Sequence, residues 1–154
     1  MHLSQHFTLG EVTKTSVKTT GENIPSHVAI ENLKNLCENW LEELRENYNL
    51  IYEGVGDCKG DEPIIITSGY RSPEVNKAVG GSPTSNHLTG CAVDIRCVGI
   101  EQAIRYAAIL LDISDGTKRD FDELLIERNK QGRYWIHFAV RPKDNRRRTM
   151  FIQT

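Results

Sequence analysis

From Ser26 to Tyr48 the apolar residues fall at helical spacing. Ile30, Leu33, Cys37, Trp40, Leu41, Leu44 and Tyr48 recur every three or four positions. That spacing predicts a long amphipathic helix, capped by Ser26, with one stripe turned inward. Such a stripe needs an apolar slab to cover it, and core packing accounts for every member. The slab is readable further along. Pro63-Ile64-Ile65-Ile66-Thr67 is short, apolar and β-branched, the pattern of a buried strand. Leu88 to Val93 reads as a turn entering a second strand. Residues 121–127 and 133–140 read as two more, joined through Asn129-Lys130-Gln131-Gly132 as a hairpin, with Pro142 ending the second.

Shorter helices fill the gaps. Pro73 fits the first turn of a helix to about Val79, stopped by Gly80-Gly81. Ile100, Ala103, Ile104, Ala107, Ala108 and Leu111 mark another over 99–111, with a turn expected over 112–118. Thr8-Leu9-Gly10-Glu11 has the capping-box pattern and predicts a short helix, with Phe7 as its staple. Residues 13–26 and 54–62 read as irregular segments. The expected class is α+β, a mainly antiparallel sheet with helices packed on one side. The length of 154 residues suits a single domain over 1–154.

Composition removes several partners. A net charge of -2 with 26% charged residues gives no general reason to expect nucleic acid or an anionic membrane. Arg146-Arg147-Arg148 reads as a solvated edge or tail, or else as a contact for an anionic polymer. No stretch approaches the roughly 20 apolar residues of a membrane span, and the first residues lack a secretory-signal pattern. The four cysteines lack zinc-knuckle spacing and are expected as free thiols, Cys37 in the core.

Chemistry concentrates between Ser68 and Asp94. His87 and Asp94 stand at the two ends of one turn, so both can aim at a common point. His137, in Tyr-Trp-Ile-His-Phe, is the candidate third donor. Two imidazoles and one carboxylate suit a tetrahedral zinc site with one open position, and non-haem iron is the alternative. His-x6-Asp alone is a weak signal, since a His–Asp pair is more often structural. Arg71 follows a buried strand and suits a substrate carboxylate or an oxyanion; a salt bridge to Asp94 or Glu74 is the plain alternative. Ser85 fits either substrate binding or loop capping. Trp135 shares a strand face with His137, as an aromatic wall or as core. His2 and His6 read as terminal packing residues.

Taken together, Ser68-Gly69-Tyr70-Arg71, Asn76, Gly80-Gly81, Ser85-x-His87-x6-Asp94 and Trp135-x-His137 resemble the zinc D-alanyl-D-alanine carboxypeptidase family. That family includes vancomycin-resistance D-Ala-D-Ala dipeptidases and phage peptidoglycan endopeptidases. The opening His6-Phe7-Thr8-Leu9-Gly10-Glu11 is similar to its compact branch, and the resemblance runs to about Val140. It implies a hedgehog/D-Ala-D-Ala-peptidase-like fold and one zinc per chain on His87, Asp94 and His137. It also implies that Arg71 binds or polarises substrate, that Ser85 lies near it, and that an acid serves as general base.

In several branches that base is an acid three residues before the last histidine, where this chain has Tyr134. A strand residue at that offset faces the other way. Glu127, at the end of Phe121-Asp122-Glu123-Leu124-Leu125-Ile126-Glu127, is the expected base and Glu123 the reserve; an exposed hairpin edge is the plain alternative for both. The function implied is hydrolysis of peptidoglycan stem peptides, as carboxypeptidase or endopeptidase, by a chain expected to act as a monomer. The rival is an inactive zinc-containing module that binds cell-wall peptide or a protein partner. Lack of a visible signal fits bacterial or phage cytoplasmic synthesis, with action on the wall after release or export.

Overall fold

Ser26 caps the long helix: its side chain accepts the Ala29 amide. In the computed structural model, which describes residues 1–154, this segment runs as α1 (His27–Leu36), a π-helical turn (Cys37–Leu41) and α2 (Glu42–Tyr52). Around the wider turn Leu36, Cys37, Trp40, Leu41 and Leu44 all become fully buried. Two further helices follow, α3 (Pro73–Ala78) and α4 (Ile100–Thr117), with a 3-10 turn at Asn86–Thr89.

The strands are β1 (Ile66–Ser68), β2 (Ala92–Cys97), β3 (Glu123–Arg128), β4 (Tyr134–Ala139) and β5 (Arg148–Gln153). They form one five-stranded sheet in the order β1-β2-β4-β3-β5, antiparallel except for the β3–β5 edge. The predicted hairpin is β3–β4. Its turn is held by the Asn129 side chain, which accepts the Gln131 and Arg133 amides, and by Gly132 at φ 80°. Its register sets Leu125 opposite His137 and Glu127 opposite Trp135, while β2 sets Asp94 opposite His137 from the other side.

Strand alternation then sorts the two faces. Val93, Ile95, Leu124, Ile136 and Phe138 enter the core with the helices, where the Trp40 and Phe138 rings lie 5.1 Å apart. Asp94, Glu123, Leu125, Glu127, Trp135 and His137 occupy the opposite face. The helical slab thus gives the site a stiff floor. This is the α+β arrangement expected, with helices on one side.

Local departures have identifiable causes. Thr8–Glu11 makes its capping-box bonds, Glu11 Oε1 accepting the Thr8 amide and Thr8 Oγ1 the Glu11 amide, yet forms a turn. The Val12 carbonyl accepts the Tyr70 amide at 2.7 Å instead of continuing a helix. β1 begins only at Ile66, where its register with β2 shifts. α4 runs through the expected turn at 112–118 to Thr117, because Ile113 and Ser114 extend its buried face, and Lys118 ends it at φ 60°. The arginine run is not a loose tail. Arg148 opens β5, Arg146 pairs with Asp122, and Arg147 pairs with Asp115 and Asp120. All four cysteines are buried free thiols, and burial pushes Cys37 and Cys97 up to about 12.

Candidate metal centre

His87 rides on the 3-10 turn, whose start is fixed when Ser85 Oγ accepts the His87 amide at 3.1 Å. Ser85 therefore caps the loop, and it also lines the cleft over the site. The His87 Nδ1–H donates to the Gly69 carbonyl at 2.6 Å, which leaves Nε2 as the inward lone pair. Gly69 also lets the N-terminal segment lie against this turn. A Cβ there would stand 2.2 Å from the Val12 carbonyl oxygen.

Asp94 sits mid-strand on β2. Its Oδ1 lies 3.4 Å from His87 Nε2 and 3.2 Å from His137 Nδ1, and its Oδ2 accepts from Arg71 Nη2 at 3.3 Å. Burial pushes this carboxyl up, but His87 and His137 beside it prevail and hold it well below the ordinary range. On β4, His137 donates Nε2–H to Glu123 Oε1 at 2.9 Å, so Nδ1 points at Asp94. Burial lowers the His137 imidazole, but its bonds to Asp94 and Glu123 outweigh that and raise it to about 9.

The three donor atoms lie within 4.8 Å of one another, and all three residues are buried. Ligand atoms about 2.0–2.2 Å from a tetrahedral ion stand about 3.3–3.6 Å apart, close to the spacings around Asp94 Oδ1. Each imidazole has its N–H committed outward, one to a carbonyl and one to a carboxylate, as metal-binding histidines require. The donor set fits one zinc ion.

Around these residues is an open cleft of about 590 Å³. Arg71 lines it, with Nε–H on Ser68 Oγ and Nη2–H on Asp94; the salt bridge goes to Asp94, while Glu74 binds Thr20 and Gly21 instead. Glu127 lines it too. Its Oε2 accepts Trp135 Nε1–H at 3.1 Å, and burial, with the Asp94 charge, raises its pKa. Glu123 and Glu127 share a face and differ in their partners. Glu123 is bound to His137, whereas Glu127 is free of both histidines. Trp135 is half-buried and stands outside the core cluster, as a wall of the cleft. Tyr134 packs against the core and does not line this cleft.

The family model for Peptidase M15 matches residues 5–119. The chain belongs to the Peptidase M15 family. M15 peptidases are zinc-dependent, in keeping with the buried His87–Asp94–His137 group. The M15 match holds His87 and Asp94 and stops before the hairpin that supplies His137, Glu123 and Glu127. Among curated proteins, none matches the chain. No helix is long and apolar enough to cross a membrane.

One layer of this M15 site escaped sequence reasoning. Asn86 donates Nδ2–H to both Asp122 and Glu123, at 2.7 Å each, and accepts from Arg141 Nε at 3.0 Å. Asp122 is fully buried and takes Arg146 through Nε and Nη2, and Arg148 reaches Glu123. The acid pair Asp122-Glu123 and the arginine run were visible signals, but nothing local connects them.

Proposed function

We propose that this chain is a zinc-dependent peptidase that hydrolyses peptide bonds in peptidoglycan stem peptides, as a D-Ala-D-Ala-type carboxypeptidase or endopeptidase. Residues 1–154 act in this reading as one peptidase-like domain. One observation carries it: Glu127, a carboxylate free of both histidines and with a raised pKa, lines the same cleft as the three clustered metal donors.

Zinc held by His87, Asp94 and His137 supplies a Lewis acid for the scissile carbonyl and lowers the pKa of a bound water towards ~7. The chain's own residues do the rest. Glu127 takes the proton of the attacking water at its carboxylate and returns it to the leaving amine, and its raised pKa suits it to both steps. Trp135 holds Glu127 through Nε1–H and walls the substrate. Arg71, anchored on Ser68 and Asp94, donates to the developing oxyanion or to a substrate carboxylate. Ser85 uses its oxygen to cap His87, which leaves its O–H to donate to substrate. In this reading the protein is made in a bacterial or phage-infected cytoplasm and meets the wall after release or export.

The test is metal content of the purified protein, paired with peptide release from purified peptidoglycan by wild type and Glu127→Ala. About one zinc per chain, with hydrolysis lost in the variant, is the expected result. The second reading, an inactive zinc-containing binding module, is favoured by Tyr134, which replaces the usual acid and faces away from the cleft. Zinc without hydrolysis of any stem peptide would establish it.

A further inference from the structure

We infer that Arg141, Arg146 and Arg148 form a preorganised anion-binding wall, so that the favoured substrate is a stem peptide whose glutamyl α-carboxyl is free. This rests on the peptidase reading above and narrows its substrate class.

Donors outnumber acceptors on this wall. Asp122 and Glu123 are its carboxylates, and each oxygen is occupied. Asp122 Oδ1 accepts the Arg146 amide and Nε–H, and its Oδ2 accepts from Asn86 and Arg146 and lies 3.2 Å from Arg141 Nε. Glu123 Oε1 accepts from Asn86 and His137, and Oε2 accepts from Arg148 Nη1 at 3.2 Å. Three guanidinium charges thus face two carboxylates, which leaves a surplus of one positive charge.

A guanidinium has five N–H donors, and these three use few of theirs. Arg141 commits only Nε, Arg146 keeps Nη1, and the remaining amine of Arg148, Nη2, meets nothing stronger than the Met150 sulfur at 3.6 Å. All three side chains line the same cleft as the metal donors and are partly exposed.

Position gives the wall its meaning. From His137 the chain of bonds runs to Glu123 and on to Arg148, so the surplus charge sits two hydrogen bonds from a metal ligand. Arg71, by contrast, has its charge offset by Asp94. The carboxylates that hold the guanidinium planes keep them aimed before substrate arrives, which cuts the ordering cost of binding. A fork of this kind takes a carboxylate or a phosphate with two parallel bonds.

The experiment compares two soluble stem peptides that differ only in whether the glutamyl α-carboxyl is free or amidated. Hydrolysis by the zinc-loaded protein gives kcat/KM for each, and calorimetry with the Glu127→Gln protein gives Kd for each. Wild type is expected to favour the free acid by about tenfold or more in kcat/KM, and the Glu127→Gln protein by a like factor in Kd. Arg148→Gln and Arg141→Gln collapse that ratio towards one, and Arg148→Lys, which keeps the charge but not the fork, falls between. Equal Kd for the two peptides, with all three arginines in place, would overturn the inference, whether or not either is cleaved. Displacement of both peptides alike by inorganic phosphate would assign the wall to phosphate and overturn it as well. Discrimination in Kd with no hydrolysis of either peptide would uphold the wall and defeat the peptidase reading instead.

Discussion

Glu123 accepts the Nε2–H of His137 at 2.9 Å, and that one bond decides which ring nitrogen faces Asp94. A metal ligand on a strand is otherwise free to rotate about its side-chain torsions. Outer carboxylates of this kind are worth roughly 10–100-fold in metal affinity. Glu123→Ala is therefore expected to weaken zinc binding by about that factor in a chelator competition. Glu123→Gln keeps an acceptor oxygen and loses less. If Glu123→Ala binds zinc as tightly as wild type, His137 is oriented by something else.

Glu127 stands apart from that network, and its variant separates chemistry from metal binding. Glu127→Gln preserves the shape and an acceptor for Trp135 Nε1–H but cannot take a proton. The expected loss in kcat is about 10²–10⁴-fold, with zinc stoichiometry unchanged. Loss of zinc together with activity would instead place Glu127 among the ligands or their supports.

The clustering of the three candidate donors was legible from residue type and position taken together with the family resemblance, since His-x6-Asp alone is weak: His87 and Asp94 flank a turn, and His137 lies on a strand with a clear hairpin behind it. Alternation also set Glu123 and Glu127 on one face. It could not say which of them meets His137, since that depends on the β3–β4 register. β5 was illegible for another reason. Its residues are almost all exposed and carry no alternating pattern, and its partner β3 lies in parallel, Glu123 opposite Arg148 and Arg128 opposite Gln153. Pairing of that kind is a tertiary fact. Asn86 was missed likewise, because Asp122 and Arg141 reach it only once the sheet has formed.

Gly69 links fold to site. Its carbonyl orients His87, and a Cβ at this position would meet the Val12 carbonyl at 2.2 Å. Gly69→Ala forces the N-terminal segment away from β1's exit. Overpacking of that kind costs about 1–3 kcal/mol, read as a lower denaturant midpoint, with weaker zinc binding alongside. An alanine variant with unchanged stability and zinc affinity would show that the Val12–Tyr70 contact yields without cost.

Asp122 makes the C-terminal segment's attachment pH-dependent. Burial raises this carboxyl, but bonds from Arg146 and Asn86 outweigh it and hold the folded-state pKa at about 2, below the unfolded value of about 3.9. A depressed carboxylate contributes stability that is complete above the unfolded pKa and is lost as pH falls through the folded one. The window is therefore about pH 4 down to about pH 2, and the contribution is about 2 kcal/mol at neutral pH. Glu123, also held at about 2, chiefly by its bond to His137, titrates in the same window and adds to the slope. In metal-free protein, Asp122→Asn is expected to flatten that acid slope. It also costs about 1.5–3 kcal/mol at neutral pH, because the hydrogen bonds from the partly exposed Arg146 and Arg141 guanidinium groups lose their charged acceptor. Denaturant midpoints for both proteins at about pH 6 and about pH 2.5 make the comparison. Equal acid losses in the two would mean that Asp122 is not what ties residues 146–148 to the sheet in acid.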